Sequence, residues 1–314
     1  MKYFVVSDIH GFFKELHKAL LGSGFEKRNK NHTLVICGDV FDRGPDTIAL
    51  YRYLKTIPSK RLILVKGNHE SLYLELLRKS FPDGYDFSNH TVDTFCQIAG
   101  VSIDSLRKST WYELKDPDPY ARVMEAWKEI VKAVKESPIT DWLKSNKWRN
   151  YFELDRYIFV HSFIPLRNVD GLSPYYIDNR CFKYFADWRE SATDYEWYSA
   201  AWGCPYRQYL DGYFKEEAAK GKVLVCGHWV VTDFRQYINN KLDFGNPDVK
   251  TYRYENIIGL DCGVWREADD SLWHPQNVLI LDSDDFDNPM HWHDGMIEEL
   301  AEETSVPRIE TITR

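Results

Sequence analysis

The first eighty residues alternate short apolar runs with amphipathic stretches. Lys2–Ser7 (KYFVVS) is short, apolar and rich in β-branched and aromatic side chains, which is the pattern of a strand. It stops at Asp8-Ile9-His10-Gly11. Leu16, Ala19 and Leu20 then recur at helical spacing, and the pattern fades at Gly22-Ser23-Gly24, so a helix is expected between. Thr33–Cys37 (TLVIC) reads as a second, buried strand, stopping at Gly38-Asp39. Pro45 suits the first turn of a helix that reaches about Lys55. Arg61–Val65 (RLILV) is a third strand, stopping at Gly67-Asn68-His69-Glu70, and the Leu-rich SLYLELLRK after it reads as another helix.

Between Phe81 and Asn150 this rhythm breaks. The stretch holds Trp111, Trp127, Trp142 and Trp148, and Ala121–Lys135 has helical spacing, so 81–150 reads as a largely helical insertion. Strand-like runs return at Tyr157–Val160, which ends on His161, and at Val223–Cys226, which ends on Gly227-His228. Two more are expected at Ile257–Leu260 and Val278–Leu281. From Met296 the chain is polar and reads as a helix followed by loose ends. Strands alternating with helices give an α/β class with a mostly parallel sheet and crossover helices. The expected organisation is one domain over 1–295 and a polar tail over 296–314. In such sheets ligands bind beyond the carboxyl ends of the strands, where each polar cluster lies.

Composition narrows the partners. Hydrophobic residues make up 44% of 314, enough for a sizeable core. A net charge of −8 argues against a nucleic-acid polymer as main partner, since phosphate backbones need clustered Lys and Arg. No polybasic run suits an acidic membrane surface, and no apolar run nears the ~20 residues that span a bilayer. The N-terminus has too short an apolar run for a signal peptide, so a cytoplasmic location is the expectation. Six cysteines, none in a C-x-x-C pair, read as buried free thiols.

The chemistry sits where the strands stop. Asp8 and His10 follow the first strand, Asp39 the second, Asn68 the third, His161 the fourth and His228 the fifth. One Asp after a strand is ordinarily a turn or cap residue, and one His in an apolar run is ordinarily a core residue. Five successive strands each ending in a metal-competent residue are a different matter. Carboxylates, imidazoles and one amide form an oxygen/nitrogen donor set suited to Mn first, and also to Fe or Zn. Two ions need a bridging carboxylate, and Asp39, central in the series, is the candidate.

Asp8-Ile9-His10-Gly11, Gly38-Asp39-Val40-Phe41-Asp42-Arg43-Gly44 and Gly67-Asn68-His69-Glu70 resemble the D-x-H-G, G-D-x-x-D-R-G and G-N-H-E motifs of the phosphoprotein phosphatase family. That family belongs to the calcineurin-like metallophosphoesterases, whose fold has β-sheets flanked by helices. The D-R-G extension is the most specific piece. Val160-His161-Ser162 and Gly227-His228 resemble its later histidine motifs, with Ser162 where Gly or Ala is usual, and Leu260-Asp261-Cys262-Gly263 resembles its I-D-T-G segment. The resemblance implies two divalent metal ions. Asp8 and His10 would bind one, Asn68, His161 and His228 the other, and Asp39 both. His69 would be the general acid, Asp42 would orient it, and Arg43 would bind phosphate. These roles agree with the chemistry: paired metals clamp an in-line displacement, a guanidinium suits phosphate, and an alkoxide leaving group needs a proton.

A second phosphate-binding arginine is expected, with Arg207 as candidate and Arg180 and Arg189 as rivals. The aromatic-rich stretch Tyr184–Phe214 can line a substrate groove or pack the core, and packing is the favoured reading. His291-Trp292-His293 is expected to be exposed strand or loop rather than a metal site. The implied function is hydrolysis of phosphomonoesters, of a serine/threonine phosphoprotein or a small phosphoester. The alternatives are a symmetrical dinucleoside polyphosphate hydrolase and a non-catalytic metal-binding module.

Overall fold

The computed structural model describes residues 1–104, 106, 119–168, 182–239, 248–264 and 275–302. Trp111, Arg180, Cys181 and the chain beyond 302 lie outside the described residues. The strands are β1 (Lys2–Val6), β2 (His32–Cys37), β3 (Leu62–Val65), β4 (Trp148–Arg149), β5 (Phe152–Glu153), β6 (Tyr157–Phe159), β7 (Arg167–Asn168), β8 (Phe182–Lys183), β9 (Val223–Cys226), β10 (Tyr252–Tyr254), β11 (Ile257–Gly259), β12 (Val278–Asp282), β13 (Asp285–His293) and β14 (Met296–Glu299).

They build two principal sheets flanked by helices, as the family resemblance implies, where the strand rhythm alone suggested a single mostly parallel sheet. The first runs β14-β13-β12-β1-β2-β3-β4, and the second β10-β11-β9-β6-β5. β1 to β4 are parallel, and β12, β13 and β14 extend that sheet antiparallel. In the second sheet β6, β9 and β11 are parallel between antiparallel edges. Strand periodicity shows why two sheets form. Val5, Val35, Cys37, Leu279 and Leu281 meet Phe159, Val225, Ile258 and Leu260 in a buried layer between the sheets. Their neighbours Phe4, Val6, Leu34 and Ile36 point the other way, under the helices Phe13–Gly22, Thr47–Lys55 and Thr91–Ala99. Ile158, Val160, Leu224 and Cys226 likewise face a second helical layer that includes Val231–Asn239. Strands buried on both faces read as unbroken apolar runs, so the sequence pattern could not tell one sheet from two.

Most strands and helices fall within a residue or two of expectation. The helix after Pro45 begins at Thr47, and the next spans Asn68–Leu76, so Asn68 and His69 occupy a helical first turn rather than a strand end. The insertion is helical at Gly84–Ser88, Thr91–Ala99, Pro119–Lys135 and Pro138–Leu143, and β4 returns it to the first sheet. The polar stretch from Met296 opens as a strand, not a helix. Its backbone pairs with β13, and Leu300 just beyond is buried. His291-Trp292-His293 is a strand as expected but not an exposed one: His291 and Trp292 are buried, and His293 Nδ1 lies 2.8 Å from Asn277 Oδ1. The five described cysteines are buried thiols outside any disulfide. No described helix is long and apolar enough to cross a membrane.

Candidate active site

At the carboxyl ends of β1, β2, β6 and β9, and at the helix start after β3, six buried or half-buried side chains from both sheets draw together. His161 is the most informative. Its Nδ1 donates to the Cys37 carbonyl at 2.9 Å, which fixes the tautomer. Burial pushes its pKa down to about 3, so the ring is neutral and Nε2 carries a lone pair. That Nε2 faces Asn68 Oδ1 at 2.8 Å, His228 Nδ1 at 3.2 Å and Asp39 Oδ2 at 3.4 Å. An imidazole lone pair, an amide oxygen and a carboxylate oxygen are all acceptors. A cation between them would satisfy all three at once.

Asp39 Oδ2 also faces the other side, 3.7 Å from His10 Nε2 and 3.9 Å from His69 Nε2. His10 Nδ1 donates to the Phe41 carbonyl at 3.1 Å, so its Nε2 too presents a lone pair, which receives Arg43 Nη1 at 2.6 Å. Two candidate cation groups thus share Asp39: one with His10 and His69, one with His161 and His228. Asp8 is buried beside them, its Oδ2 accepting the His228 N–H at 2.9 Å. Burial, and then the charges of Asp261 and Asp39, push the Asp8 carboxyl well above the usual range. Burial, followed by the Glu70 charge, does the same to Asp39. Burial lowers His10 and His228, with Arg43 first among the charges on His10 and His161 on His228. Neutral imidazoles beside buried carboxylates fit divalent metal ions.

Local backbone makes this convergence possible. Asp8, His10, Asp39, Asp42, Arg43 and His228 have φ of 51°, 50°, 54°, 72°, 65° and 67°. Each left-handed residue costs on the order of 1 kcal/mol or more, and such residues gather at functional sites. The motif glycines have a different task. A Cβ on Gly38 would strike the His161 ring, one on Gly67 the Asp39 carboxylate, and one on Gly227 the Asp8 carboxylate. Each glycine before a candidate ligand makes room for a ligand from another segment.

Two supports escaped the sequence reading. The Glu70 carboxylate accepts the N–H groups of Gly67, Asp39 and Val40 at 2.7, 3.0 and 2.9 Å, tying the ends of β2 and β3 together. A Glu at the third helical position, reaching back to the N–H of the residue before the helix, was its signal. Asp42 Oδ2 takes His69 Nδ1–H at 2.7 Å, and Thr91 and Thr94 donate hydroxyls to the same carboxylate at 2.9 and 2.7 Å. Those threonines come from the insertion, and no local pattern marks them. Ser162, the departure from the usual Gly or Ala, donates its hydroxyl to the Gly203 carbonyl at 2.8 Å.

Among the described residues, neither Arg207 nor Arg189 is joined to the cluster. Arg207 is exposed on the helix Pro205–Leu210, its Nε 4.0 Å from Asp211 Oδ2, and no described contact joins it to the site. Arg189 is held in a fork between Glu153 and Glu217 at 2.7 to 3.1 Å.

Residues 1–232 match the calcineurin-like phosphoesterase family, and the chain belongs to it. A symmetrical bis(5′-nucleosyl)-tetraphosphatase of Buchnera aphidicola subsp. Schizaphis graminum is 40% identical over 70 residues, 22% of this chain and 24% of that protein. An asymmetrical bis(5′-nucleosyl)-tetraphosphatase, PrpE, of Oceanobacillus iheyensis is 32% identical over 76 residues, 22% of this chain and 30% of that protein. The match spans less than a third of the length of these relatives. The structure of a cold-active protein-tyrosine phosphatase of a psychrophilic Shewanella sp. superposes with a TM-score of 0.51 at 12% identity, covering 96% of this chain and 80% of that one. That likeness is one of fold.

Proposed function

We propose that the chain is a phosphoester hydrolase whose strand-end cluster would hold two divalent metal ions, which would supply an activated water for attack on phosphorus. The observation that carries this reading is the convergence of Asn68 Oδ1 and Asp39 Oδ2 on His161 Nε2, at 2.8 and 3.4 Å, a mixed oxygen and nitrogen donor set drawn from both sheets. Asp8 and His10 would hold one ion, Asn68, His161 and His228 the other, with Asp39 common to both. When bound, the ion pair supplies charge neutralisation and a water ionised near neutral pH. Mn suits the donor set first, with Fe or Zn next.

The remaining steps fall to the chain's own groups. Asp42 keeps His69 Nδ1 protonated and favours the imidazolium, from whose Nε2 a proton passes to the leaving oxygen. Arg43 would hold the non-bridging phosphoryl oxygens through its planar fork. The motif glycines and the Glu70 clamp set the spacing before substrate arrives.

Two substrate classes fit this centre. The phosphoprotein reading rests on the Asp42-Arg43-Gly44 extension. The dinucleoside tetraphosphate reading is favoured by what the relatives sharing the N-terminal motifs are named for. The test is metal-stripped protein refilled with Mn, Fe, Zn or Mg and assayed on phosphopeptides, p-nitrophenyl phosphate and diadenosine tetraphosphate. Asp39→Asn is expected to lower activity by ~10³-fold or more and to weaken binding of both ions. Full activity in that variant would remove the shared-carboxylate centre, and with it the catalytic reading.

A further inference from the structure

Beside His161 lies a cleft of about 260 Å³. Lys66, Ser71 and Asn150 line it together with Asp194, Trp197 and Tyr198 of the helix Asp194–Ala201. Because His161 is in its wall, a group seated there is contiguous with a phosphorus atom held at the cluster. The volume is below that of a pocket for a whole drug-sized ligand, so it suits one moiety of a substrate.

The lining is specific in chemistry. Lys66 is exposed and lines the cleft. Its ammonium is a point charge suited to an anionic oxygen. The Trp197 ring is half-buried and held by stacking on Tyr151 at 5.6 Å and 5°, with Trp188 edge-on at 5.7 Å. A ring fixed in this way is a platform for a planar group. Tyr198 continues the aromatic wall to Trp202, whose ring lies edge-on to His228 at 6.1 Å. Asp194 and Asn150 add acceptors for hydroxyl or amino groups. A cation, an aromatic platform and hydroxyl acceptors lining one cleft match a nucleoside phosphate.

We propose that this cleft is the leaving-group subsite for a nucleoside polyphosphate. The inference rests on the hydrolase reading and selects the nucleotide from its two substrate classes. One phosphoanhydride bond breaks and the water oxygen bonds to phosphorus. The former bridging oxygen departs with the nucleoside phosphate in the cleft and takes the proton. Lys66 would balance the charge of that departing phosphate, and Trp197 would carry its base.

The test uses metal-loaded enzyme with diadenosine tetraphosphate, p-nitrophenyl phosphate and a phosphotyrosyl peptide. Lys66→Ala is expected to lower the ratio of kcat/KM for the dinucleotide to that for p-nitrophenyl phosphate about tenfold, mainly through KM. Trp197→Leu is expected to act in the same direction, but it also removes packing, so the surface variant Lys66→Ala decides. An unchanged ratio overturns the proposal, as does a loss confined to the phosphopeptide. A wild-type enzyme that turns over p-nitrophenyl phosphate and not the dinucleotide overturns it too, while leaving the metal centre intact. Failure of the parent reading would show separately, as retained activity in Asp39→Asn.

Discussion

Asp42 spends its whole carboxylate on orientation: one oxygen holds His69 and the hydroxyl of Thr91, the other the hydroxyl of Thr94. Burial lowers the His69 pKa, and the hydrogen bond and charge of Asp42 oppose that shift. A general acid of this kind matters only where the leaving oxygen needs a proton. His69→Asn is therefore expected to slow hydrolysis of an alkyl phosphate by ~10²–10³-fold, and that of p-nitrophenyl phosphate far less. Comparing kcat across leaving groups of graded basicity measures this, and an equal loss on all of them would place His69 among the metal ligands instead. The same residues show what local sequence can convey. The D-R-G and N-H-E strings announced Asp42 and His69, but not the two threonines 49 and 52 residues further on that fix Asp42.

Among the elements, the aromatic-rich stretch illustrates both outcomes of the sequence reading. Trp188 and Tyr206 are core residues, as expected, whereas Trp197 and Tyr198 line the cleft. Packing there is anchored by Glu217, which is fully buried and accepts from Tyr184, Trp188 and Arg189 at 2.8 to 3.2 Å. It joins the helices Trp188–Ser191 and Lys215–Ala218. Burial raises its pKa, but the hydrogen bonds from Arg189, Tyr184 and Trp188 outweigh burial and hold it at about 2. A depressed carboxyl stabilises the fold above its unfolded value near 4.5 and loses that contribution as pH falls towards 2. Glu217→Gln is expected to cost on the order of 2–3 kcal/mol at neutral pH and to flatten stability between those limits. Denaturant midpoints at a series of acid pH values report it. Arg189, a rival for phosphate binding by sequence, is the cation that makes this contribution possible.

At the scale of the molecule, the candidate ligands come from both sheets: Asp8, His10 and Asp39 from the first with Asn68 at its edge, His161 and His228 from the second. Metal binding is therefore expected to lock the two sheets together. Chelation should lower Tm by roughly 10 °C, since an ion at 1,000 times its Kd adds ~4 kcal/mol to stability. Scanning calorimetry with and without chelator checks this, and an unchanged Tm would mean that the ions do not bridge the sheets. The sequence by itself determined the strand and helix spacing, the ligand types and their motif glycines, because these depend on near neighbours: side-chain period, turn chemistry and room for a Cβ. Tertiary structure alone decided that the strands split into two facing sheets, that Met296–Glu299 completes an edge, and that Arg207 stays outside while Glu70 and two threonines brace the centre. Those outcomes depend on which faces meet across a buried layer and on partners tens of residues apart, and a local pattern carries neither.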